Sequence, residues 1–107
     1  MSQEISAGAV QEKLRRPEED LVLLDCREPD ELQLAHIEGA VNIPVGDIPS
    51  RLQSLDPEKE YVVFCHHGMR SLNVVEFLRK QDFGRVASMA GGIDAWSLEV
   101  DQTVPRY

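Results

Sequence analysis

The chain contains little cysteine and little positive charge for its length. Its two cysteines among 107 residues argue against the disulfide framework of small secreted domains. The 11 basic residues against 19 acidic ones give a net charge of −8, which argues against non-specific binding to nucleic acid. No apolar run approaches the roughly 18 residues of a membrane span, and no signal-peptide pattern is present. We therefore expect a reducing compartment, most simply the cytoplasm, and neither a membrane nor a nucleic acid as partner.

The length of the chain and its uniform alternation of apolar and polar segments predict a single domain over residues 1–107. There is no internal repeat, low-complexity tract or linker. The predicted core covers about residues 3–100, followed by an extended tail over 101–107. We expect a monomer, because no coiled-coil repeat or other association motif is present.

Apolar runs alternate with segments of helical spacing along the chain. The predicted strands cover residues 21–24, 40–43, 61–64 and 85–88. The predicted helices cover residues 7–15, 30–34, 50–55 and 69–81, and a last one follows Gly91-Gly92 and runs through Trp96. Ser6 is predicted to cap the first helix and Pro17 to end it, with a solvated acidic loop at Glu18-Glu19-Asp20. The alternation predicts an α/β fold with a mostly parallel sheet and helices on both faces.

One short segment, residues 65–71, concentrates the residues that can carry chemistry. It contains Cys65, His66, His67, Gly68, Met69, Arg70 and Ser71. Because a predicted strand ends just before Cys65, this thiol lies at the sheet edge where ligands bind in α/β folds. It also faces the N-terminus of the next helix, whose free N–H groups and dipole favour a thiolate. The sequence therefore predicts that this loop holds Cys65 as a sulfur anion available for chemistry.

The neighbours of Cys65 have separate predicted roles. Gly68 permits a backbone angle that a tight loop needs, and Arg70 supplies a fixed positive charge for an anionic ligand. His66 and His67 either line the mouth of the pocket or are solvated and functionally neutral. A metal is not predicted, because no further Cys or His pattern completes a four-ligand zinc site.

Three segments together resemble the rhodanese-like domain family. The first runs from Leu24-Asp25-Cys26-Arg27 to His36-Ile37-Glu38-Gly39-Ala40-Val41-Asn42-Ile43-Pro44, the second is the loop 65–71, and the third is Met89-Ala90-Gly91-Gly92-Ile93-Asp94-Ala95-Trp96. Ala35 and Cys26 depart from the residues usual in the family. The resemblance implies a small open five-stranded sheet. It also implies a sulfurtransferase without metal or organic cofactor, in which Cys65 takes sulfur from a donor such as thiosulfate and becomes a persulfide.

A second polar group precedes the loop along the chain. We interpret Asp25, Arg27, Glu31 and His36 as a lattice of salt bridges and hydrogen bonds, and not as a catalytic triad. The resemblance places Asp25 and Arg27 near the pocket. Gly91-Gly92 and Trp96 are interpreted as a tight turn and a packing residue.

Two other function classes stay open. The fold also resembles that of cell-cycle dual-specificity phosphatases and arsenate reductases, but the phosphatase loop is one residue longer than the four residues between Cys65 and Arg70. The domain could instead be a protein-interaction or sulfur-relay module. Residues 100–107 resemble the end of rhodanese domains fused to adenylating sulfur-transfer enzymes. The expected partners are thus a small anionic sulfur donor and a protein that donates or accepts sulfur.

Cys26 carries a hypothesis of its own. In the sheet order that the resemblance implies, its strand neighbours the strand that ends at Cys65. The second thiol could then resolve a persulfide on Cys65 by forming an internal disulfide. The alternative is an inert thiol that faces the core.

Overall fold

Five parallel strands form one sheet in the order β1-β5-β4-β2-β3. The structure is a computed structural model that describes residues 3–16 and 20–107. The strands are β1 (Glu4–Ile5), β2 (Leu21–Asp25), β3 (Val41–Asn42), β4 (Glu60–Phe64) and β5 (Val86–Met89). The predicted α/β class and parallel sheet are confirmed. The sequence pattern did not predict β1, which is a two-residue strand at the sheet edge.

Three α-helices cover the two faces of the sheet. They are α1 (Ala7–Leu14), α2 (Met69–Lys80) and α3 (Gly92–Glu99). Ser6 caps α1 as predicted, because its hydroxyl oxygen accepts a hydrogen bond from the Ala9 N–H at 3.1 Å. The predicted end of this helix at Pro17 and the acidic residues Glu18 and Glu19 lie outside the described residues.

Two segments predicted as helices are 3-10 helices in the structure. The prediction of a helix over 50–55 was wrong: a 3-10 helix covers only Leu52–Ser54, between Pro49 and Pro57. This stretch is too short to offset the cost of nucleating an α-helix. The segment predicted over 30–34 is a 3-10 helix at Pro29–Gln33, and a further one lies at Val45–Asp47.

The central strands β2 and β4 are buried on both faces, which explains their unbroken apolar runs. Leu23 and Phe64 pack in the core cluster under α1 and α3, whereas Leu24 and Val63 pack in the cluster under α2. Neighbouring residues of a strand therefore face opposite sides of the sheet. Within the described part of the chain, no helix has the length and apolar character needed to cross a bilayer.

The C-terminal tail folds back on the domain. Val104 is only 8% exposed and belongs to the core cluster under α1 and α3. Its carbonyl accepts a hydrogen bond from the Ser97 hydroxyl at 2.5 Å. This packing brings the last residue, Tyr107, back to the edge of the sheet where β2 and β4 end.

Candidate functional site

Cys65 directly follows β4, and the chain then turns into α2. The thiol is buried, with 2% exposure, and three donors surround its sulfur. The Gly68 N–H donates to Sγ at 3.1 Å and the Ser71 N–H at 3.4 Å. The Ser71 hydroxyl lies 3.5 Å from the same sulfur. The turn therefore places on one side of the sulfur two N–H groups that the first turn of a helix leaves unpaired, together with the Ser71 hydroxyl.

Gly68 makes this turn possible. It caps α2 with a φ of 114°, a left-handed conformation that residues with a Cβ rarely adopt. This angle lets the chain reverse within the four residues between Cys65 and Arg70. The Gly68 N–H consequently points back at the sulfur.

A pair of buried hydroxyls lies behind the sulfur. The Ser71 and Ser88 oxygens are 2.7 Å apart, and both side chains are 0% exposed. A hydroxyl has one proton, and Ser71 is within reach of both the Gly68 carbonyl and Sγ. If Ser88 donates to Ser71, the Ser71 proton is free for the sulfur. Ser88 belongs to no local sequence motif, and it was therefore not predicted as a residue of the site.

The surroundings hold Cys65 as a thiolate. Hydrogen bonds lower the pKa of Cys65 to about 4. The largest effect comes from the Cys26 thiol, and the Ser71 hydroxyl and the Ser71 and Gly68 N–H groups add to it. Burial of the sulfur acts in the opposite direction and raises this pKa. The pKa of Cys26 is raised instead, by its hydrogen bond to Cys65 and by burial. At neutral pH, Cys65 is thus the anion and Cys26 stays protonated.

Helix α3 supports the loop from the other side. The Ile93 N–H donates to the Cys65 carbonyl at 2.8 Å, and the Asp94 N–H donates to the His66 carbonyl at 3.2 Å. A Cβ on Gly92 would overlap the Cys65 and His66 carbonyl oxygens, so no side chain fits there. Gly91-Gly92 is therefore a close-contact turn that fixes the Cys65 backbone.

Arg70 is held by a carboxylate from a distant part of the chain. Its two terminal nitrogens donate to the two carboxylate oxygens of Glu31 at 2.6 and 3.0 Å. The hydrogen bond from Arg70 lowers the pKa of Glu31 to about 2, and Glu31 in turn raises the pKa of Arg70. The Arg70 side chain is still 36% exposed. Its remaining N–H groups can therefore bind an anion.

Asp25 and Arg27 form a fully buried ion pair on either side of Cys26. The Arg27 Nε and Nη2 atoms donate to the two Asp25 oxygens at 2.9 and 2.7 Å. Nη1 donates to the Tyr107 hydroxyl at 3.0 Å, and that hydroxyl donates to Glu31 at 2.6 Å. Hydrogen bonds thus connect Asp25 to Arg70 through Arg27, Tyr107 and Glu31.

His36 does not take part in this lattice, contrary to the sequence interpretation. It is exposed and lines a cavity of about 510 Å³ together with Trp96 and Val104. Cys65 is not among the residues that line this cavity.

Three aromatic rings stack at the rim of the site. The His66 ring lies 3.8 Å from the Tyr107 ring and 3.8 Å from the His67 ring. His66, His67 and Asp94 could together offer three ligand atoms to a metal ion, all within 4.8 Å of one another. Arg106 already binds both Asp94 oxygens, at 2.8 and 3.3 Å. A metal ion would have to displace this guanidinium.

The sequence pattern predicted residues 65–71 as the site, but three further features of the site were not predicted. Ser88, Tyr107 and the pairing of Glu31 with Arg70 depend on long-range packing. Glu31 had one usable signal, since its position fits a capping box with Glu28. Met69, in the middle of the loop, is 77% exposed and marks the outer surface of the site.

Comparison with known proteins agrees with this geometry. A family model described as Rhodanese-like domain matches residues 6–99. The chain is 45% identical over 96 residues to a Bacillus subtilis protein named "Putative sulfurtransferase YtwF", covering 90% of this chain and 91% of that protein. It is 32% identical over 88 residues to "Thiosulfate sulfurtransferase GlpE" of Pseudoalteromonas translucida, covering 82% and 84%. The crystal structure of a rhodanese-related protein from Thermoplasma volcanium matches with a TM-score of 0.82 and 33% identity, over 92% of this chain and 93% of that one.

Proposed function

Because the chain belongs to the rhodanese-like domain family, we propose that it is a sulfurtransferase in which Cys65 carries the transferred sulfur as a persulfide. One observation carries the proposal: a buried sulfur at the end of a strand receives hydrogen bonds from the Gly68 and Ser71 N–H groups. These groups stabilise a sulfur anion before any substrate arrives.

The proposed reaction has two half-reactions. The Cys65 thiolate attacks the outer sulfur of thiosulfate, the sulfur–sulfur bond of the donor breaks, and sulfite leaves with the bonding electron pair. The product is a Cys65 persulfide anion. An acceptor nucleophile such as cyanide or a thiolate then bonds to the outer sulfur, and Cys65 leaves as the thiolate. Charge and atoms balance without a metal or an organic cofactor.

The rim of the site is proposed to bind the donor. Arg70 has N–H groups that Glu31 does not occupy, and these would bind the sulfonate oxygens of thiosulfate. The His66 ring stacks on His67 and on Tyr107, whose hydroxyl donates to the Glu31 carboxylate that holds Arg70. With a chain charge of −8, an anionic donor depends on this local attraction.

The outer surface of the loop is proposed to admit a protein donor or acceptor. Met69 is 77% exposed, and His67 is exposed beside it, so nothing in the described chain covers this side of the loop. A sulfur-relay role in a reducing compartment would use the same Cys65 chemistry with a partner thiol. Saturation by a protein persulfide at a lower concentration than by thiosulfate would support the relay role.

The test is the intact mass of the chain after incubation with thiosulfate, for the wild type and for Cys65→Ser. We expect a gain of about 32 Da in the wild type, removal of this mass by cyanide with formation of thiocyanate, and neither event in Cys65→Ser. An aryl phosphate serves as a control substrate for the phosphatase alternative. Failure of thiosulfate, mercaptopyruvate and a cysteine-desulfurase persulfide to load Cys65 would overturn the proposal.

A further inference from the structure

The two cysteines of the chain lie side by side at the ends of paired strands. Cys26 follows β2 and Cys65 follows β4, and the last register pair of these strands is Asp25 with Phe64. The pairing continues beyond it, since the Cys26 N–H donates to the Phe64 carbonyl at 3.0 Å. Both cysteines are free thiols and buried, with 0% and 2% exposure.

Both sulfurs also point to the same face of the sheet. Cys26 and Cys65 belong to the core cluster under α2, together with Leu24 and Val63, which are two residues earlier on each strand. Neighbouring strands lie about 4.8 Å apart. A disulfide needs a Cα separation of about 4.4 to 6.8 Å. The strand spacing therefore falls within the Cα range of a disulfide, and the two side chains share one face of the sheet.

The backbone of Cys26 is held firmly. Its two neighbours, Asp25 and Arg27, form the buried ion pair, and its carbonyl accepts a hydrogen bond from the Val45 N–H at 3.1 Å. Its side chain is closed to solvent, so an external thiol has no access to it. Among the described residues, the reactive group that meets the Cys26 thiol is the sulfur of Cys65, to which it hydrogen-bonds.

We propose that Cys26 is a resolving thiol, which attacks the Sγ of a Cys65 persulfide and releases the outer sulfur as hydrosulfide. This inference rests on the proposed function, because the Cys65 persulfide is its substrate. It gives the Cys65 persulfide a second reaction when no acceptor reaches the outer sulfur. The stored sulfur then leaves as sulfide and the protein becomes an internal disulfide.

The step balances as a thiol–disulfide exchange. A bond forms between the sulfurs of Cys26 and Cys65, and the bond from Cys65 Sγ to the outer sulfur breaks. The bonding electron pair and the Cys26 proton go to the outer sulfur, which leaves as HS⁻. The Cys26 sulfur is oxidised and the outer sulfur is reduced. A thiol or dithiol reductant must then reduce the disulfide before the next turnover.

Two variants separate a resolving thiol from a hydrogen-bond donor. Cys26→Ser keeps a donor beside Cys65 but cannot form a disulfide, whereas Cys26→Val keeps neither property. Each chain is loaded with thiosulfate, freed of excess donor by gel filtration, and held without acceptor or reductant. The readouts are intact mass after rapid alkylation and hydrosulfide in solution, with thermal unfolding as the control for folding.

In the wild type we expect the gain of about 32 Da to be replaced by a mass about 2 Da below that of the reduced chain, with one hydrosulfide released per chain. In both variants the persulfide should last at least about 10-fold longer and hydrosulfide release should fall accordingly. Decay at the wild-type rate in Cys26→Ser would overturn the inference and leave the proposed function standing. Absence of sulfur loading in all three chains would overturn the proposed function and the inference with it.

A second experiment tests, without any sulfur donor, whether Cys26 and Cys65 are close enough to form a disulfide. The reduced wild type is treated with diamide, a thiol oxidant, and digested under non-reducing conditions. We expect one linked peptide pair that contains Cys26 and Cys65. Cross-linked dimers alone, or no linkage, would overturn the inference whatever the result with thiosulfate.

Discussion

The guanidinium of Arg70 and the carboxylate of Glu31 are joined by two hydrogen bonds, of 2.6 and 3.0 Å, across 39 residues of sequence. Arg70 lies in the first turn of α2, and Glu31 lies in the 3-10 helix after β2. The pair therefore fastens two loops that follow neighbouring strands. It also orients the cation that faces the site.

The first prediction concerns the acid stability of this pair. Glu31 has its pKa lowered from 4.5 to about 2 by Arg70, so its contribution to folding is complete above about pH 4.5 and is lost as the pH falls towards 2. We expect Glu31→Gln to lower the free energy of unfolding by about 1 kcal/mol at pH 7, since solvent screens the partly exposed Arg70. The difference from the wild type should shrink between pH 4.5 and 2.

Urea unfolding at a series of pH values measures this difference. Glu76→Gln is the matched control, because Glu76 pairs with Lys80 at 3.6 Å while both side chains are more than half exposed. That control should change stability little at any pH. A constant difference between the wild type and Glu31→Gln from pH 7 to 2 would contradict the prediction.

The second prediction concerns the ionisation of Cys65. With a pKa of about 4, the thiolate dominates from pH 9 down to about 5, and the rate of alkylation by iodoacetamide should be nearly flat over this range. In Ser71→Ala the loss of the hydroxyl should move the midpoint of this profile upward by about one pH unit. Asn73→Ala, at an exposed position on the same helix, should leave it unchanged. A wild-type midpoint near pH 8 to 9 would refute the thiolate.

The third prediction concerns Gly92. An alanine there would carry a Cβ into the Cys65 and His66 carbonyls and would also have to adopt a φ of 62°. We expect Gly92→Ala to destabilise the protein by more than about 2 kcal/mol and to reduce sulfur loading. Gly8→Ala is the control, because nothing lies within 4 Å of a Cβ at Gly8 in α1. This control should be neutral or stabilising by up to about 1 kcal/mol, and equal effects of the two changes would contradict the prediction.

The fourth prediction concerns the buried ion pair of Asp25 and Arg27. Asp25→Asn leaves the fully buried Arg27 cation without its counter-charge, and we expect a cost of about 3 to 5 kcal/mol. Arg27→Met should cost a similar amount. The double variant should cost clearly less than the sum, because no unpaired charge then remains. Chemical unfolding of the four chains gives the coupling, and additive effects would show that the pair acts as two separate groups.

Local pattern was sufficient for most of the fold. The strands at 21–24 and 61–64 have unbroken apolar runs because they are covered on both faces, and α2 has a clear helical period. The edge strand β1 has two residues and no period to detect. The segment at 50–55 has helix-forming residues, but its single turn gains too few hydrogen bonds to become an α-helix.

In the site, too, the features set by adjacent residues could be predicted and those set by long-range packing could not. A strand, a glycine and a helix start are adjacent in sequence, so the position of Cys65 at a helix N-terminus could be predicted. Ser88 lies on a different strand, and Tyr107 returns only because Val104 is buried in the core. Contacts of this kind depend on how the chain packs, and no pattern within a single segment reports them.

Two of the groups that hold the Cys65 sulfur are main-chain N–H groups, beside the Ser71 hydroxyl and the Cys26 thiol. The Gly68 and Ser71 N–H groups depend on the path of the chain and not on the identity of His67 or Met69, which are exposed beside them. Under the proposed function, chemistry and partner recognition would be assigned to separate atoms of one loop. Replacing His67 and Met69 should then redirect the choice of acceptor while Cys65 keeps its reactivity, which makes this loop a natural starting point for engineering new sulfur-transfer partners.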